Sequence, residues 1–384
     1  MSPMAVREYL EQMAGRYRKA RSRPEKSRIL DEICATCRFH RKHAIRALQR
    51  ARRGMKAPTK RRGPKATYSG KELIRPLKII WLTANLPCSK RLKALIPLWL
   101  SSYELEFGEL SEEVRAKLLG ISPATIDRVL STARLEHMGK GRTTTKPGTL
   151  LRNSIPIKTG QWDESRPGFL EADTLAHCGP TTAGQFAWTL DCVDIATGWT
   201  EQRAVWAKEQ ESVVEQMKSI EKALPFALRG FDSDNGSEFI NYLLVKYFLG
   251  RHRPVQFTRS RAYRKNDNAH VEQKNWTHVR QWFGYDRLDK PEVIELMNDL
   301  YENEWRLFHN FYCPSVKLLS KKRVGSKVIK KHDVPKTPYQ RVLESPHVSE
   351  YTKRGLQHIF ENTNPFHLRR RIDEKLRKIF DVVR

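Results

Sequence analysis

Three acidic residues in the middle of this 384-residue chain have types and positions suited to phosphodiester chemistry. Asp173 follows an apolar run, Asp234 precedes Asn-Gly, and Glu272 begins a helical run, with 60 and 37 residues between them. Mg²⁺ prefers oxygen ligands and leaves positions for substrate. Two such ions about 3.5–4 Å apart can activate water and stabilise a departing 3′ oxygen. We therefore expect these carboxylates to bind two Mg²⁺ (or Mn²⁺) ions, with Asp173 bridging both.

Each acid taken singly has an ordinary structural explanation. Asp173 fits a strand end, Asp234 a turn, and Glu272 the first turn of a helix, where the dipole favours an acid. Their order and spacing, with basic flanking regions, favour the catalytic interpretation. Asp232 is a rival to Asp234, which we prefer because Asn235 and Gly236 follow it directly.

The elements that must position these acids follow from the hydrophobic pattern. Alternating apolar residues predict strands near 168–174, 185–206 (two strands), 228–234 and 255–258. Helical patterns follow the third, fourth and fifth strands, giving three strands and then helix, strand, helix, strand and helix. This α/β layout resembles the ribonuclease H fold.

Two sequence motifs identify a family resemblance. SDNGSEF around Asp234 and NDNAHVEQKN around Glu272 resemble the DDE catalytic core of retroviral-type integrases and insertion-sequence transposases, over about residues 165–315. The resemblance implies that Asp173, Asp234 and Glu272 are catalytic. Insertion-sequence members commonly carry Lys or Arg seven residues after the Glu; here that position is Val279, and we expect Arg280 to substitute for it.

The charge distribution indicates a nucleic-acid partner. The net charge is +28, of which residues 1–70 carry +15, residues 71–160 and 291–384 carry +7 each, and residues 161–290 carry −1. Basic flanks suit phosphate binding, and a neutral, acid-containing centre suits cation binding. No apolar run is long enough to cross a membrane, so we expect no membrane partner.

Residues 24–50 suggest a first helix-turn-helix, followed by a basic linker to about residue 66. Its second helix places Arg41 and Lys42 as DNA contacts, after a break at 35–37. A zinc site is an alternative interpretation, but a helical pattern spanning ten residues disfavours it, since zinc ligand pairs normally come from two elements. The ligands in question would be Cys34, Cys37, His40 and His43.

Residues 110–134 suggest a second helix-turn-helix within a helical region at 67–150. Ser111 and Ser122 are expected N-caps. Thr125, Arg128 and Arg134 are expected DNA contacts, although a packing hairpin would show the same pattern.

Four basic residues surround Glu272, and we expect them to contact phosphates near the scissile bond. They are Arg264, Lys265, Lys274 and Arg280. Trp276 and Trp282 are interpreted as core residues rather than base-stacking ones, and His177 and Cys178 as packing residues.

The sequence therefore predicts a multidomain protein: N-terminal all-α helix-turn-helix domains (1–66 and 67–150), a central α/β ribonuclease H-like catalytic core (160–315), and a basic C-terminal region (316–384). In that last region, residues 317–336 are expected to be irregular and residues 366–384 form a basic amphipathic run, but its fold does not follow from the sequence. We expect a DDE transposase or integrase acting on double-stranded DNA, both terminal inverted repeats and target. The reaction implies a homo-oligomer, and the resemblance a bacterial, nucleoid-associated cytoplasmic location. Alternatives are a helix-turn-helix regulator with an inert core, and a ribonuclease H-like nuclease that does not join strands.

Overall fold

The computed structural model describes residues 3–52, 67–137, 165–233, 238–239, 242–259, 269–324 and 326–384. The chain divides into two compact units, Met1–Thr67 and Tyr68–Arg384.

The first unit contains three described helices, α1 (Pro3–Lys19), α2 (Arg23–Cys37) and α3 (Arg41–Arg52). Ile33 of α2 and Ala44 of α3 are fully buried in their shared core. The predicted break at 35–37 is wrong, because α2 continues to Cys37 and the turn is made by Arg38 in the left-handed conformation (φ 53°). The two-helix pattern with a basic second helix is otherwise confirmed.

The second unit begins with five helices that include the second predicted hairpin. Ser111 and Ser122 cap α6 and α7 by accepting hydrogen bonds from the backbone N–H groups of Val114 (3.4 Å) and Thr125 (3.2 Å), as predicted. The helix after Ser122 is shorter than expected, since α7 ends at Val129. The bounds are α4 (Lys71–Thr83), α5 (Ser89–Phe107), α6 (Glu112–Gly120), α7 (Pro123–Val129) and α8 (Ser131–His137).

A five-stranded mixed sheet forms the centre of the second unit, in the order β3-β2-β1-β4-β5. β1 pairs antiparallel with β2 and parallel with β4, so β1 is the middle strand. The predicted strand and helix order is confirmed. The strands are β1 (Phe169–Ala176), β2 (Ala187–Asp194), β3 (Thr200–Trp206), β4 (Gly230–Ser233) and β5 (Gln256–Arg259).

The helices that alternate with these strands cover the two sheet faces. α9 (Gln210–Ala223) and α10 (Tyr242–Leu249) pack on the face that contains Leu170 and Ala172 of β1. The other face receives α11 (Ala269–Lys274), which continues through a π-helical segment, Asn275–Arg280, into α12 (Gln281–Phe283). Strand side chains alternate between faces, so Glu171, Asp173 and Leu175 point toward this helix.

The remaining chain is more regular than the sequence suggests. The segment 317–336, expected to be irregular, contains a β-hairpin, whose two strands pair antiparallel from Leu318 and His332 to Val324 and Lys327. The amphipathic C-terminal run, whose fold does not follow from the sequence, is a helix with one buried face. The elements are α13 (Val293–Leu300), a π-helical segment (Tyr301–Trp305), α14 (Arg306–Tyr312), β6 (Leu318–Val324), β7 (Lys327–His332), α15 (Pro338–Glu344), α16 (Glu350–Glu361) and α17 (Pro365–Val383).

Residues 68–384 form one unit where the sequence suggests three domains. Trp99 of α5 is completely buried, and its indole N–H donates to the Tyr312 carbonyl at the end of α14 (3.1 Å). Its ring also makes edge contacts with Phe308 and with Phe366 of α17. One hydrophobic core therefore joins the second helical region, the sheet and the C-terminal helices.

Candidate functional site: a carboxylate-bearing sheet face under helix α11

The candidate site lies where the middle strand β1 meets the start of α11. Glu171 accepts a hydrogen bond from the Val271 backbone N–H (3.1 Å), which is one of the unsatisfied donors of the first helical turn. Two residues further along β1, Asp173 accepts from the Asn275 side-chain amide (2.6 Å). These two bonds attach α11 along the same face of β1.

Asp173 is held in one orientation from two sides. Its second oxygen accepts from the Thr174 backbone N–H (2.8 Å), while Asn275 binds the first. Burial raises the pKa of Asp173 above its ordinary value, and the neighbouring Glu238 carboxylate adds to the increase. Hydrogen bonds to a charged carboxylate act in the opposite direction. A metal ion bound at this position would stabilise the charged form of Asp173, which burial disfavours.

Glu272 lies on α11, three residues before Asn275, and is exposed. Residues three apart share one side of a helix, so the helix brings Glu272 to the side that contacts β1. Asp234 lies outside the described residues. The preceding strand β4 ends at Ser233, which pairs with Ala172, the residue directly before Asp173.

A second carboxylate, that of Glu238, lies near Asp173, and the sequence patterns did not indicate a role for it. Glu238 is 3% exposed, forms an ion pair with Lys208, and accepts from the Thr174 hydroxyl (2.6 Å). Burial acts to raise its pKa, but these hydrogen bonds outweigh burial, so the pKa of Glu238 lies below its ordinary value. Glu238 belongs to the SDNGSEF motif and Asn275 to NDNAHVEQKN, so both motifs contain the signal that could have identified them.

Lys274 does not lie on the surface, as a phosphate contact would require. It is 7% exposed, and its Nζ lies 3.2 Å from Nε2 of His278. Burial lowers the pKa of Lys274 to about 8, with the nearby Arg91 acting in the same direction and Asp191 opposing it. Its side of α11 packs toward β2, so the expected phosphate contact of Lys274 finds no support in its burial and stays a prediction.

Arg280 is engaged by the protein rather than free for DNA. Its guanidinium donates to the Ala176 carbonyl at the end of β1 (2.7 Å) and lies over the Tyr285 ring. Val279, seven residues after Glu272, is completely buried. A π-helical turn adds one residue to the α-helical repeat. Arg280 therefore occupies the angular position that a residue seven after Glu272 would take in a continuous α-helix.

Three other residues from the sequence analysis are structural. Asp232 is completely buried in β4 and accepts from the Thr258 hydroxyl of β5. His177 is 1% exposed, with Nε2 2.8 Å from the Thr189 hydroxyl, and burial lowers its pKa to about 3. Cys178 forms a backbone bridge with Arg287. The packing interpretation of His177 and Cys178 agrees with these contacts.

The predicted DNA contacts in the second helical hairpin differ in exposure. Thr125 is 8% exposed and its hydroxyl accepts from Ser122 and Arg128, so its position gives no support to the expected DNA contact, which stays a prediction. Arg128 is exposed. Arg134 forms an ion pair with Asp127.

In the first unit, Arg41 and Lys42 at the start of α3 are exposed. Arg41 forms an ion pair with Asp31 and donates to Ser27 (2.6 Å). Arg264 and Lys265 lie outside the described residues.

Hard oxygen donors are available for a divalent cation. In the part of the chain that the structure describes, no group of three or more His, Cys, Asp or Glu residues is arranged to hold a metal ion. The described site supplies Asp173 and Glu272. It also supplies the Asn275 amide oxygen, which is buried and has no hydrogen-bond partner among the described residues. This donor chemistry fits Mg²⁺ or Mn²⁺.

Among the described helices, none is long and apolar enough to span a lipid bilayer.

No protein-family model matches the chain. A structural comparison finds the crystal structure of the catalytic core domain of BIV integrase, with a TM-score of 0.28 and 14% identity, covering 47% of this chain and 96% of that one. A curated sequence, "Uncharacterized protein y4rM" of Sinorhizobium fredii (strain NBRC 101917 / NGR234), is 40% identical over 341 residues, which is 88% of this chain and 95% of the relative. At that identity and coverage, the chain belongs to the same family as y4rM.

Proposed function

We propose that the protein is a DDE transposase or integrase that binds the terminal inverted repeats of a DNA element and catalyses metal-dependent cleavage and strand transfer. One observation carries the proposal: the Asn275 amide joins Asp173 on the middle strand to the helix that carries Glu272. The strand order β3-β2-β1-β4-β5 fits the ribonuclease H-like core of this enzyme class.

The third carboxylate is assigned to Asp234. β4 lies parallel to β1, and Asp232 pairs with Glu171 on the face toward α11. Asp234 follows the last residue of β4 directly, and its assignment rests on its place in the SDNGSEF motif. Asp232 is already bonded to Thr258, which favours Asp234 as the ligand.

Asp173, Asp234 and Glu272 would hold the cations, and Asn275 would keep Asp173 in position. Two bound Mg²⁺ ions would supply activation of the attacking oxygen and stabilisation of the leaving oxygen. In the first reaction, a water oxygen bonds to phosphorus and the P–O3′ bond breaks, leaving a free 3′-hydroxyl. In the second, that 3′-hydroxyl bonds to a target phosphorus and releases the target's own 3′ oxygen.

The basic flanks would bind the DNA that the centre cuts. Residues 1–70 contain 20 basic and 5 acidic residues, and Arg41, Lys42 and Arg128 are exposed on helices suited to DNA contact. Joining two ends requires both in one complex, so we propose a homo-oligomer.

A strand-transfer assay tests the proposal. Labelled duplexes from the two ends of the DNA element that encodes the protein are incubated with the full chain and Mg²⁺. Asp173→Asn and Glu272→Gln are expected to abolish cleaved and joined products while leaving DNA affinity unchanged. Glu295→Gln, at an exposed position on α13, serves as the matched control and should retain activity.

The alternatives give different outcomes. Cleavage without joined products in the wild type would contradict strand transfer and identify a nuclease. Tight binding of the element ends with no metal-dependent product would identify a DNA-binding regulator with an inert core.

A further inference from the structure

A cavity of about 750 Å³ lies beside the candidate active site, against the side of the helix that does not contact Asp173. Four segments form it: the α4–α5 connection with the start of α5, residues 273–282, the end of α14 with the residues after it, and β7 with the residues after it. Its volume is within the roughly 300–1,000 Å³ typical of ligand sites. Gln273, which follows Glu272 directly, lines this cavity.

The cavity wall is positively charged. Lys90, Arg91, Lys330 and Lys331 line it from two different elements. Its acidic lining residue, Asp333, is already bonded to Arg341 (2.9 Å). Cations from separate elements around one concave surface would attract a phosphate group.

The first turn of α5 reaches the same cavity. This 19-residue helix has Cys88 as its N-cap, with no side-chain hydrogen bond to the cap. Backbone N–H groups at a helix N-terminus and the positive end of its dipole bind anions. The cap residue and two cationic residues of the first turn, Lys90 and Arg91, are among the lining residues.

A buried histidine and a half-buried asparagine in the wall have unsatisfied hydrogen-bonding groups. His309 is 2% exposed, and neither ring nitrogen has a partner within the described residues. Burial holds the pKa of His309 well below its ordinary value, so one nitrogen donates and the other accepts. The Asn85 amide nitrogen is likewise buried without a described partner. Groups of this kind are costly unless a ligand or water satisfies them.

The α4–α5 connection also has an unusual backbone. Asn85 and Leu86 are consecutive non-glycine residues with positive φ, 62° and 59°. Such residues are uncommon and cluster at ligand-binding sites. Asn85 and Leu86 both line the cavity.

An aromatic side chain completes the wall. Trp276, expected to be a core residue, is 52% exposed and lines the cavity, whereas Trp282 packs on Trp305. Exposed aromatic rings beside a positive groove provide stacking surfaces for unpaired bases.

We propose that this cavity binds one unpaired nucleotide of the DNA strand at the active site, with its base on Trp276 and within reach of His309 and its phosphate near the α5 N-terminus. This inference rests on the proposed function, because it assumes that the strand passes Glu272. Glu272 and Gln273 are adjacent in the helix and point about 100° apart around its axis, so a strand at the carboxylates would follow the helix surface to reach the cavity.

Binding of two labelled duplexes to the full chain in EDTA tests the proposal. They share one sequence, but only one has a 3′ overhang of thymidines. Trp276→Ala should weaken overhang binding about tenfold and leave blunt-end binding unchanged. Tyr351→Ala, another exposed aromatic residue, is the matched control and should leave both unchanged. Photocrosslinks from 5-iodouracil in the overhang should map to Trp276.

His309→Phe keeps an aromatic ring at this position and removes both unsatisfied nitrogens. It should raise the melting temperature, because a buried polar group without a partner is lost, and weaken overhang binding about fivefold. A merely structural histidine would not affect overhang binding.

Equal overhang affinity in Trp276→Ala, His309→Phe and the control would overturn the proposal. So would crosslinks that map elsewhere, or inorganic phosphate that displaces the overhang as well as thymidine monophosphate does. Asp173→Asn should bind the overhang like the wild type. Failure of catalysis therefore counts against the proposed function alone, and failure of overhang discrimination counts against the cavity alone.

Discussion

Asn275 determines how the strand and the helix of the candidate site are joined. Its amide nitrogen binds Asp173 at 2.6 Å, and its oxygen has no partner among the residues that the structure describes. Partners that orient a metal-binding carboxylate typically contribute 10–100-fold to metal affinity or activity. Asn275 is therefore a positioning residue for the proposed chemistry.

Replacing Asn275 with Ala should reduce DNA cleavage by about 10–100-fold and raise the Mg²⁺ concentration needed for half-maximal activity. The physical reason is that Asp173 loses the donor that fixes its orientation. A Mg²⁺ titration of cleavage, with DNA affinity measured in parallel, checks this. Asn303→Ala, an exposed helical asparagine, is the control. A loss of activity that follows melting temperature and does not respond to Mg²⁺ would contradict the positioning role.

His177 makes stability depend on acid pH. Its pKa is lowered by burial to about 3, whereas an unfolded histidine titrates near 6.5. Between those values the unfolded chain binds more protons, so stability is lost as pH falls below about 6.5. For this fully buried group the loss between pH 7 and pH 5 is about 2 kcal/mol.

His177→Gln keeps a donor near Thr189 and removes the titration. The free energy of unfolding should therefore fall by about 2 kcal/mol less between pH 7 and pH 5 than in the wild type. Urea unfolding at both pH values measures this difference. The exposed His252→Gln should reproduce the wild-type fall; if His177→Gln does so too, the buried neutral histidine is not responsible.

At the scale of elements, the π-helical segment Asn275–Arg280 changes what the helix offers to DNA. Val279 is buried, and Arg280 ties the helix to the end of β1 through the Ala176 carbonyl. π-helical turns are rare and occur frequently at functional sites. Here the extra residue places the positively charged Arg280 at the helix position where the family resemblance predicts Lys or Arg. Its guanidinium is hydrogen-bonded within the protein, to the Ala176 carbonyl.

Arg280→Leu should therefore destabilise the fold by about 1–3 kcal/mol, because the Ala176 carbonyl loses its donor. It should leave the salt dependence of DNA binding nearly unchanged. Arg128→Leu, at an exposed position, should leave the stability of the fold nearly unchanged. It should reduce the slope of log affinity against log salt concentration by about 1, the amount expected for one lost phosphate contact. Thermal unfolding and binding at several salt concentrations compare the two. A reduced slope for Arg280→Leu without loss of stability would restore it as a DNA contact.

Short-range sequence patterns predicted those elements whose formation depends on residues close together in the chain. The Ser111 and Ser122 caps and the order of the strands and helices around the sheet follow from residue type and period. The burial of Lys274, the carbonyl contact of Arg280 and the π-helical segment depend on contacts distant in sequence, which no short window contains. The hairpin β6–β7 was missed because neither strand shows the alternation of apolar and polar residues that indicates a strand.

At the scale of the whole molecule, the second unit folds around a core that crosses the expected domain boundaries. The described helix α17 places Phe366 against Trp99 of α5 and buries Ile379 completely. The first unit has a separate core formed by α1, α2 and α3. Stability of the helical region at 71–137 should therefore depend on the C-terminal helix, although more than 200 residues separate them in the chain.

Ile379→Ala tests this dependence in the full chain. Removing a buried isoleucine costs about 2–5 kcal/mol, through lost burial and the cavity that remains. Because one core joins the elements of Tyr68–Arg384, hydrogen exchange should accelerate in α4 and α5 as well as in α17, while α1–α3 keep their protection. The exposed Arg377→Ala should change neither region. Acceleration confined to residues after 316 would contradict the shared core, and would mean that the C-terminal region unfolds as an independent domain.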